Sequence, residues 1–137
     1  MIVKVDWTEV YKKNVLVVDD SLSFRQLTSG LLKHIGFKEI EYANSGAEAV
    51  ERYEKGGVDI LFLDIDMPGM SGMEALEAII AFDALAYVIM LSGHTSDEYV
   101  NQAKERGVKG FISKPLNPPE MKSKLIEFAE LNNLVTT

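Results

Sequence analysis

The 137-residue chain has no cysteine, only two histidines, and no uninterrupted apolar run longer than 8 residues. Without cysteine there can be no disulfide, zinc–thiolate site, iron–sulfur cluster or thiol nucleophile. Two histidines are too few for a histidine-rich metal site. The longest apolar run, Ala84–Leu91, falls far short of the roughly 20 residues a spanning helix needs, so no membrane insertion is expected. Residues 1–13 contain no apolar core of a signal peptide, which makes the cytoplasm the expected location. Basic residues are also in deficit. Fourteen Lys and Arg stand against 21 Asp and Glu, giving a net charge of −7, and the basic residues are scattered. A protein that holds nucleic acid by neutralising phosphates needs the opposite balance, so direct nucleic-acid binding is not expected.

What is present is ordinary globular material, 47% hydrophobic and 26% charged. A chain of this length makes one domain and buries roughly 68% of its unfolded surface. Five short apolar runs, Val15–Val18, Ile40–Ala43, Val58–Leu63, Tyr87–Leu91 and Val108–Ile112, alternate with longer amphipathic segments. Most runs are nearly continuous and rich in β-branched and aromatic residues, as in strands covered on both faces. Between the first two, Phe24, Leu27, Leu31 and Ile35 recur at helical spacing and Gly36 follows as a stop. Ser45-x-x-Glu48, Ser71-x-x-Glu74 and Thr95-x-x-Glu98 have the form of capping boxes, and Asn117-Pro118-Pro119-Glu120 is a variant with proline at the first helical position. Gly56-Gly57 and Gly107 close the second and fourth helical segments. Five βα units predict an α/β fold, a doubly wound five-stranded parallel sheet with helices on both faces. An eight-fold barrel would need about twice the length. Residues 1–13 are expected to form a partly ordered N-terminal extension, 14–132 the domain, and 133–137 a C-terminal tail.

In open α/β sheets, ligands bind at the carboxyl ends of the strands. The first strand ends in Asp19-Asp20, the third in Asp64-Ile65-Asp66, the fourth in Ser92-Gly93-His94, and the fifth runs into Ser113-Lys114-Pro115. Carboxylates crowded on one rim raise each other's pKa unless something positive sits among them. Lys114 is one candidate. A hard divalent cation held by oxygen ligands, Mg²⁺, is the other. Mg²⁺, a free carboxylate, a lysine and a hydroxyl are the equipment of phosphoryl transfer, with the carboxylate as nucleophile. Asp64 has no helix to cap, whereas Asp19-Asp20 could also cap the first helix. His94 reads as a solvated loop residue, and Met67, Met70 and Met73 read as gap-fillers.

The series Val17-Val18-Asp19-Asp20, Phe62-Leu63-Asp64-Ile65-Asp66-Met67-Pro68-Gly69-Met70-Ser71-Gly72, Leu91-Ser92-Gly93 and Phe111-Ile112-Ser113-Lys114-Pro115 resembles the receiver domain of two-component response regulators, in particular the chemotaxis regulators. The resemblance covers roughly residues 14–132. It implies the flavodoxin-like (βα)₅ strand order 2-1-3-4-5, an order for which a receiver protein is itself a standard example. It implies Asp64 as phosphoacceptor, with Asp19, Asp20, Asp64 and the backbone carbonyl of Asp66 as Mg²⁺ ligands. Ser92 becomes the switch hydroxyl beside Gly93, Lys114 the phosphoryl partner, Phe111 the switch aromatic, and Pro115 the residue whose peptide bond aims Lys114. Ser92 and Phe111 depart from the commoner Thr and Tyr, and Phe111 brings no hydroxyl to outside partners. The implied function is a phospho-switch rather than a turnover enzyme. It is loaded by a sensor histidine kinase or phosphotransfer protein and read by a protein partner at the face of the fourth helix, fifth strand and fifth helix. With no DNA-binding domain after the fifth helix in this sequence, the expectation is either output through protein contacts or that the chain is a fragment of a larger protein.

Three other readings compete. Asp64-Ile65-Asp66 matches the Asp-x-Asp of haloacid-dehalogenase-type phosphatases, but there the motif lies on the first strand. A flavodoxin-like cofactor carrier would want a Ser/Thr/Gly-rich phosphate loop where Asp19-Asp20 stand. A receiver blind to phosphate would not need Asp19, Asp20, Asp64 and Lys114 intact.

Overall fold

The computed structural model describes residues 4–67, 69–93, 97–114 and 116–136. Pro68, His94, the Thr95 half of one capping motif, and Pro115 lie outside the described residues.

The predicted alternation forms ten elements: β1 (Val15–Val18), α1 (Leu22–Ile35), β2 (Ile40–Ala43), α2 (Gly46–Glu54), β3 (Ile60–Asp64), α3 (Gly72–Phe82), β4 (Val88–Ser92), α4 (Asp97–Glu105), β5 (Gly110–Ser113) and α5 (Pro118–Leu131). All strand pairings in this sheet are parallel, in the order β2-β1-β3-β4-β5, as the resemblance implied. The three inner strands are buried at every position. This is why their sequences run apolar without alternation. The edge strand β5 alternates buried and half-buried residues.

One face of the sheet presents Leu16, Val18, Leu61, Leu63, Val88 and Met90 to α2, α3 and Ala103 of α4. The other presents Val15, Val17, Ile60, Phe62, Ile89 and Leu91 to Leu32 of α1 and to Met121, Leu125 and Phe128 of α5. Burial on both faces is the main stabilising contribution, at roughly 1.5–3 kcal/mol per large apolar side chain removed from water. Met67 is buried in the first cluster, with Met70 and Met73 packed against it, so these methionines do fill gaps.

Strand limits shift in an instructive way. β3 begins two residues later than its apolar run and reaches Asp64, and β4 reaches Ser92. Pairing continues past the last apolar residue, with Asp64 opposite Leu91 and Ser92 opposite Ser113. Polarity ended the apolar runs, yet burial and backbone pairing both continue through Asp64 and Ser92.

Capping largely follows the sequence. Ser71 and Glu74 form a reciprocal capping box. Ser45 accepts from the Glu48 amide, but Glu48 reaches back to the amide of Asn44 rather than of Ser45. Asn117 accepts from the Glu120 amide. Helix α1 starts at Ser21, whose hydroxyl accepts from the Phe24 amide, so Asp19 and Asp20 do not serve as its cap. Its inward face also differs from the expected stripe. Thr28, Ser29 and Leu32 are buried, while Leu27 is 53% exposed. The helix is rotated so that small polar residues meet the sheet and part of the apolar stripe faces outward.

In the N-terminal segment, whose Trp7, Val10 and Tyr11 were candidates to pack on the domain, the described part does so. Within its described part, Lys4–Val5 pairs antiparallel with Val135–Thr136, and Trp7–Val10 forms a helical turn. Val10 is fully buried in the second cluster. Trp7 stacks on Tyr11, which meets Phe37 edge-on. Tyr11 lies so close to Gly36 (φ +135°) that a Cβ there would sit 2.6 Å from the ring. The partly ordered extension and the tail are therefore, over residues 4–13 and 133–136, one strap that ties the chain ends across α1 and α5. Its aromatics find a ready apolar seat, which gives the segment more burial than its weak pattern suggested.

Candidate functional site

At the carboxyl rim of the sheet, three strand ends converge. Asp19 follows β1 and is held by its own backbone amide donating to the Ala43 carbonyl, 3.1 Å. Its Oδ1 accepts from the Ser21 amide at 2.9 Å, and Arg25 Nη1 donates to its carbonyl at 2.6 Å. Asp64 closes β3, where its Oδ1 accepts from the Asp66 amide at 3.3 Å. Lys114 leaves β5 with its amide bound to the Ser92 carbonyl at 2.7 Å. Its ammonium donates to Asp19 Oδ2 at 3.0 Å and to Asp64 Oδ1 at 3.1 Å.

Asp19 is 1% exposed and Asp64 3%, while the Lys114 side chain is 19% exposed. Two carboxylates this deep are costly unless compensated. Burial pushes the Asp64 carboxyl up from 3.8 to about 6, and the neighbouring Asp19 charge pushes the same way. Lys114 and the Asp66 amide only partly oppose this. Burial alone would lower the Lys114 ammonium, but hydrogen bonds and charge from Asp19 and Asp64 outweigh it, and its pKa is raised. The lysine stays charged at any physiological pH, while the acid pair around it remains under-neutralised.

Asp20 is exposed, yet its carboxylate joins those of Asp19 and Asp64 in a set whose ligand atoms lie within 4.8 Å of one another. An all-oxygen donor set with one raised carboxyl pKa fits a hard divalent cation such as Mg²⁺. Asp66 is exposed at the mouth. Ser92 is fully buried at the end of β4, one strand over from Asp64, and Gly93 is exposed beyond it, with open space where a Cβ would project. Phe111 is half-buried on β5, packed against the first core cluster. It lines a cavity of about 270 Å³ with Val100, Lys104, Lys109 and Lys124, on the face formed by α4, β5 and α5. The structure thus gathers Asp19, Asp20, Asp64 and Lys114 in one cluster, with Ser92 on the neighbouring strand. Pro115 falls outside the described residues.

Three supports were not singled out from the sequence. Gly72, at the start of α3, lies against the site backbone: a Cβ there would sit 2.2 Å from the Asp64 carbonyl oxygen. Arg25 and Phe24, on the first turn of α1, reach Asp19 and Lys114 respectively, the ring centroid of Phe24 lying 4.1 Å from the ammonium. Phe24 had read as one member of an apolar stripe. The signal that could have separated it was its place three residues after the capping serine, the turn that faces the strand ends.

The family model described as response regulator receiver domain matches residues 15–126. A chemotaxis protein CheY of Listeria monocytogenes is 41% identical over 101 residues, covering 74% of this chain and 85% of that protein. CheY-3 of Vibrio cholerae is 33% identical over 118 residues, 85% of this chain and 91% of its own length. Among solved structures, CheY in the CheX–CheY–BeF₃–Mg²⁺ complex of Borrelia burgdorferi superposes with a TM-score of 0.82 at 34% identity, covering 90% of this chain and 93% of that one. The receiver domain of the Arabidopsis thaliana histidine kinase CKI1, complexed with Mg²⁺ and BeF₃⁻, gives a TM-score of 0.76 at 27% identity, covering 90% and 98%.

Proposed function

The chain belongs to the response regulator receiver domain family of two-component signalling, and on that premise we propose that it accepts a phosphoryl group on Asp64 from the phosphohistidine of a sensor histidine kinase or phosphotransfer protein. The observation that carries this reading is the ammonium of Lys114 bridging two buried carboxylates beside a third.

A carboxylate oxygen of Asp64 supplies the electron pair for the new P–O bond. The P–N bond to the donor imidazole breaks in line, and the imidazole nitrogen leaves with that pair. Asp19, Asp20, Asp64 and the backbone carbonyl of Asp66 would hold Mg²⁺, which would supply charge neutralisation for the phosphoryl oxygens. Lys114 neutralises another phosphoryl oxygen and offsets the charge that builds as the acyl phosphate forms. Water later cleaves that acyl phosphate, so the domain is a resettable switch and not a turnover enzyme.

One carboxylate charge becomes a phosphoryl group of about −1.5 to −2. The Ser92 hydroxyl hydrogen-bonds it, and Phe111 turns inward into the room vacated. The surface of α4, β5 and α5 then changes shape for a protein partner. With Phe111 lacking a hydroxyl, this coupling runs through packing alone. The Borrelia relative solved with CheX, BeF₃ and Mg²⁺ supports the protein-partner part of the reading. The net charge of −7 supports the absence of direct nucleic-acid work. Among the described residues no helix is long and apolar enough to cross a membrane; we place the domain in the cytoplasm, where its phosphodonors present their histidines.

Incubation with acetyl phosphate, with and without Mg²⁺, tests the assignment by intact-mass spectrometry. The wild type gains one phosphoryl group only with Mg²⁺, and Asp64→Asn gains none. An equal adduct on Asp64→Asn, or one indifferent to Mg²⁺, overturns the assignment.

A further inference from the structure

Besides Asp19 and Asp64, the Lys114 ammonium meets an uncharged partner. It sits over the Phe24 ring at 4.1 Å from the centroid, within the range in which the ring's negative face attracts a cation. The ring is held there by local structure. Ser21 caps α1 through the Phe24 amide at 3.3 Å, and the Ser21 amide is itself bound by Asp19 Oδ1 at 2.9 Å. Arg25, the next residue, donates to the Asp19 carbonyl. The first turn of α1 is therefore fastened to Asp19 at two points, through Ser21 and Arg25, and turns an aromatic face toward the lysine from the α1 side.

The charged partners are not permanent. Asp19 belongs to the carboxylate set that can take a divalent cation, so cation and ammonium compete for it. Asp64, the other partner, loses carboxylate character once it is esterified. An uncharged ring is indifferent to both events. A lysine stem is flexible and its head strongly hydrated, so an ammonium whose carboxylates are drawn off by the cation would swing toward water before a phosphoryl oxygen is there to meet it. We propose that Phe24 is a positioning residue for the phosphoryl-transfer step, keeping the Lys114 ammonium at the site while a cation engages its carboxylate partners, so that it is in place for the incoming phosphoryl oxygen. The proposal rests on the receiver reading above. It assigns Phe24 a task that core packing does not require, since the side chain is only half-buried.

The test pairs a spectroscopic readout with a kinetic one. In protein carrying ¹³C-labelled lysine, with Lys114 assigned by Lys114→Arg, the Lys114 ε-protons are shifted upfield of the other lysines by the ring current of Phe24. The shift is lost in Phe24→Leu and kept in Phe24→Tyr. It persists in the wild type after addition of Mg²⁺ and beryllofluoride. Phe24→Leu is phosphorylated by acetyl phosphate about three- to thirty-fold more slowly. Phe24→Tyr stays within about twofold of wild type, and the Mg²⁺ affinity of both variants stays within about the same factor.

An unshifted Lys114 resonance in the wild type overturns the proposal, as does a shift that vanishes with Mg²⁺ and beryllofluoride. So does wild-type phosphorylation in Phe24→Leu, or a loss of Mg²⁺ affinity in step with rate, which would mark general loosening of the site. Failure of the receiver reading looks different, because then the wild type itself forms no Mg²⁺-dependent adduct on Asp64.

Discussion

Asp64→Asn should make the metal-free protein more stable, not less. In the folded protein the Asp64 carboxyl is pushed from 3.8 to about 6, first by burial and then by the Asp19 charge, and this is the net after Lys114 and the Asp66 amide have opposed it. A shift of that size corresponds to about 3 kcal/mol of preference for the protonated form. The sign follows from proton binding. Between pH 3.8 and 6 the native state holds a proton that the unfolded chain has released, so the wild type loses stability as pH rises through that window. Above it the full penalty persists. Asparagine has the same shape and no charge, and Lys114 keeps its bond to Asp19 at 3.0 Å. Allowing for the lost Asp64 partner, Asp64→Asn gains about 1–3 kcal/mol at pH 7.5 in EDTA, which raises Tm by roughly 3–10 °C for a chain of this size. The two proteins should agree within about 0.5 kcal/mol near pH 4, diverge through pH 4–6 and run parallel above pH 7. Saturating Mg²⁺ narrows the gap, because a ligand that binds the folded state stabilises it by mass action and the variant has lost a carboxylate ligand. Urea denaturation across pH measures this. A variant less stable than wild type at pH 7.5, or a gap independent of pH, would refute the claim that the site stores electrostatic strain relieved by the cation.

Two further outcomes test the scaffold around the site. Val10→Ala removes two methyls from a fully buried position in the strap and should cost about 2 kcal/mol in urea denaturation, with the slope unchanged; a loss under about 0.5 kcal/mol would show that the strap is not part of the cooperative unit. Gly72→Ala places a Cβ 2.2 Å from the Asp64 carbonyl oxygen, so it should destabilise by about 1–3 kcal/mol and weaken beryllofluoride binding as the β3–α3 junction shifts; unchanged stability would mean the loop absorbs the clash.

The five-stranded sheet could be read ahead of the structure because its signal is physical redundancy. A strand covered on both faces has no polar alternation to blur, and α2, α3 and α5 announce their starts with a side chain that satisfies a backbone amide. Asp64 was legible for a related reason: a carboxylate after four consecutive apolar residues has nothing local to do. The parts that stayed hidden depend on direction rather than pattern. Leu27 and Phe24 lie three residues apart on one apolar stripe, yet Leu27 faces water and Phe24 faces a lysine. Where a helix points a ring is fixed by its cap and by what its neighbours bind. Here that is Ser21 and Arg25, both tied to Asp19. The strap was hidden for a different reason, since its strand has only two residues and its partner strand lies at the other end of the chain. No local window contains both halves. The same reasoning says where a receiver sequence will be least readable. The strand ends give up their carboxylates and lysine at once, whereas the side chains that hold those groups in place come from the first turn of a helix, and one of them, Phe24, carries no polar mark. A phenylalanine there looks like core until the ammonium above it is seen.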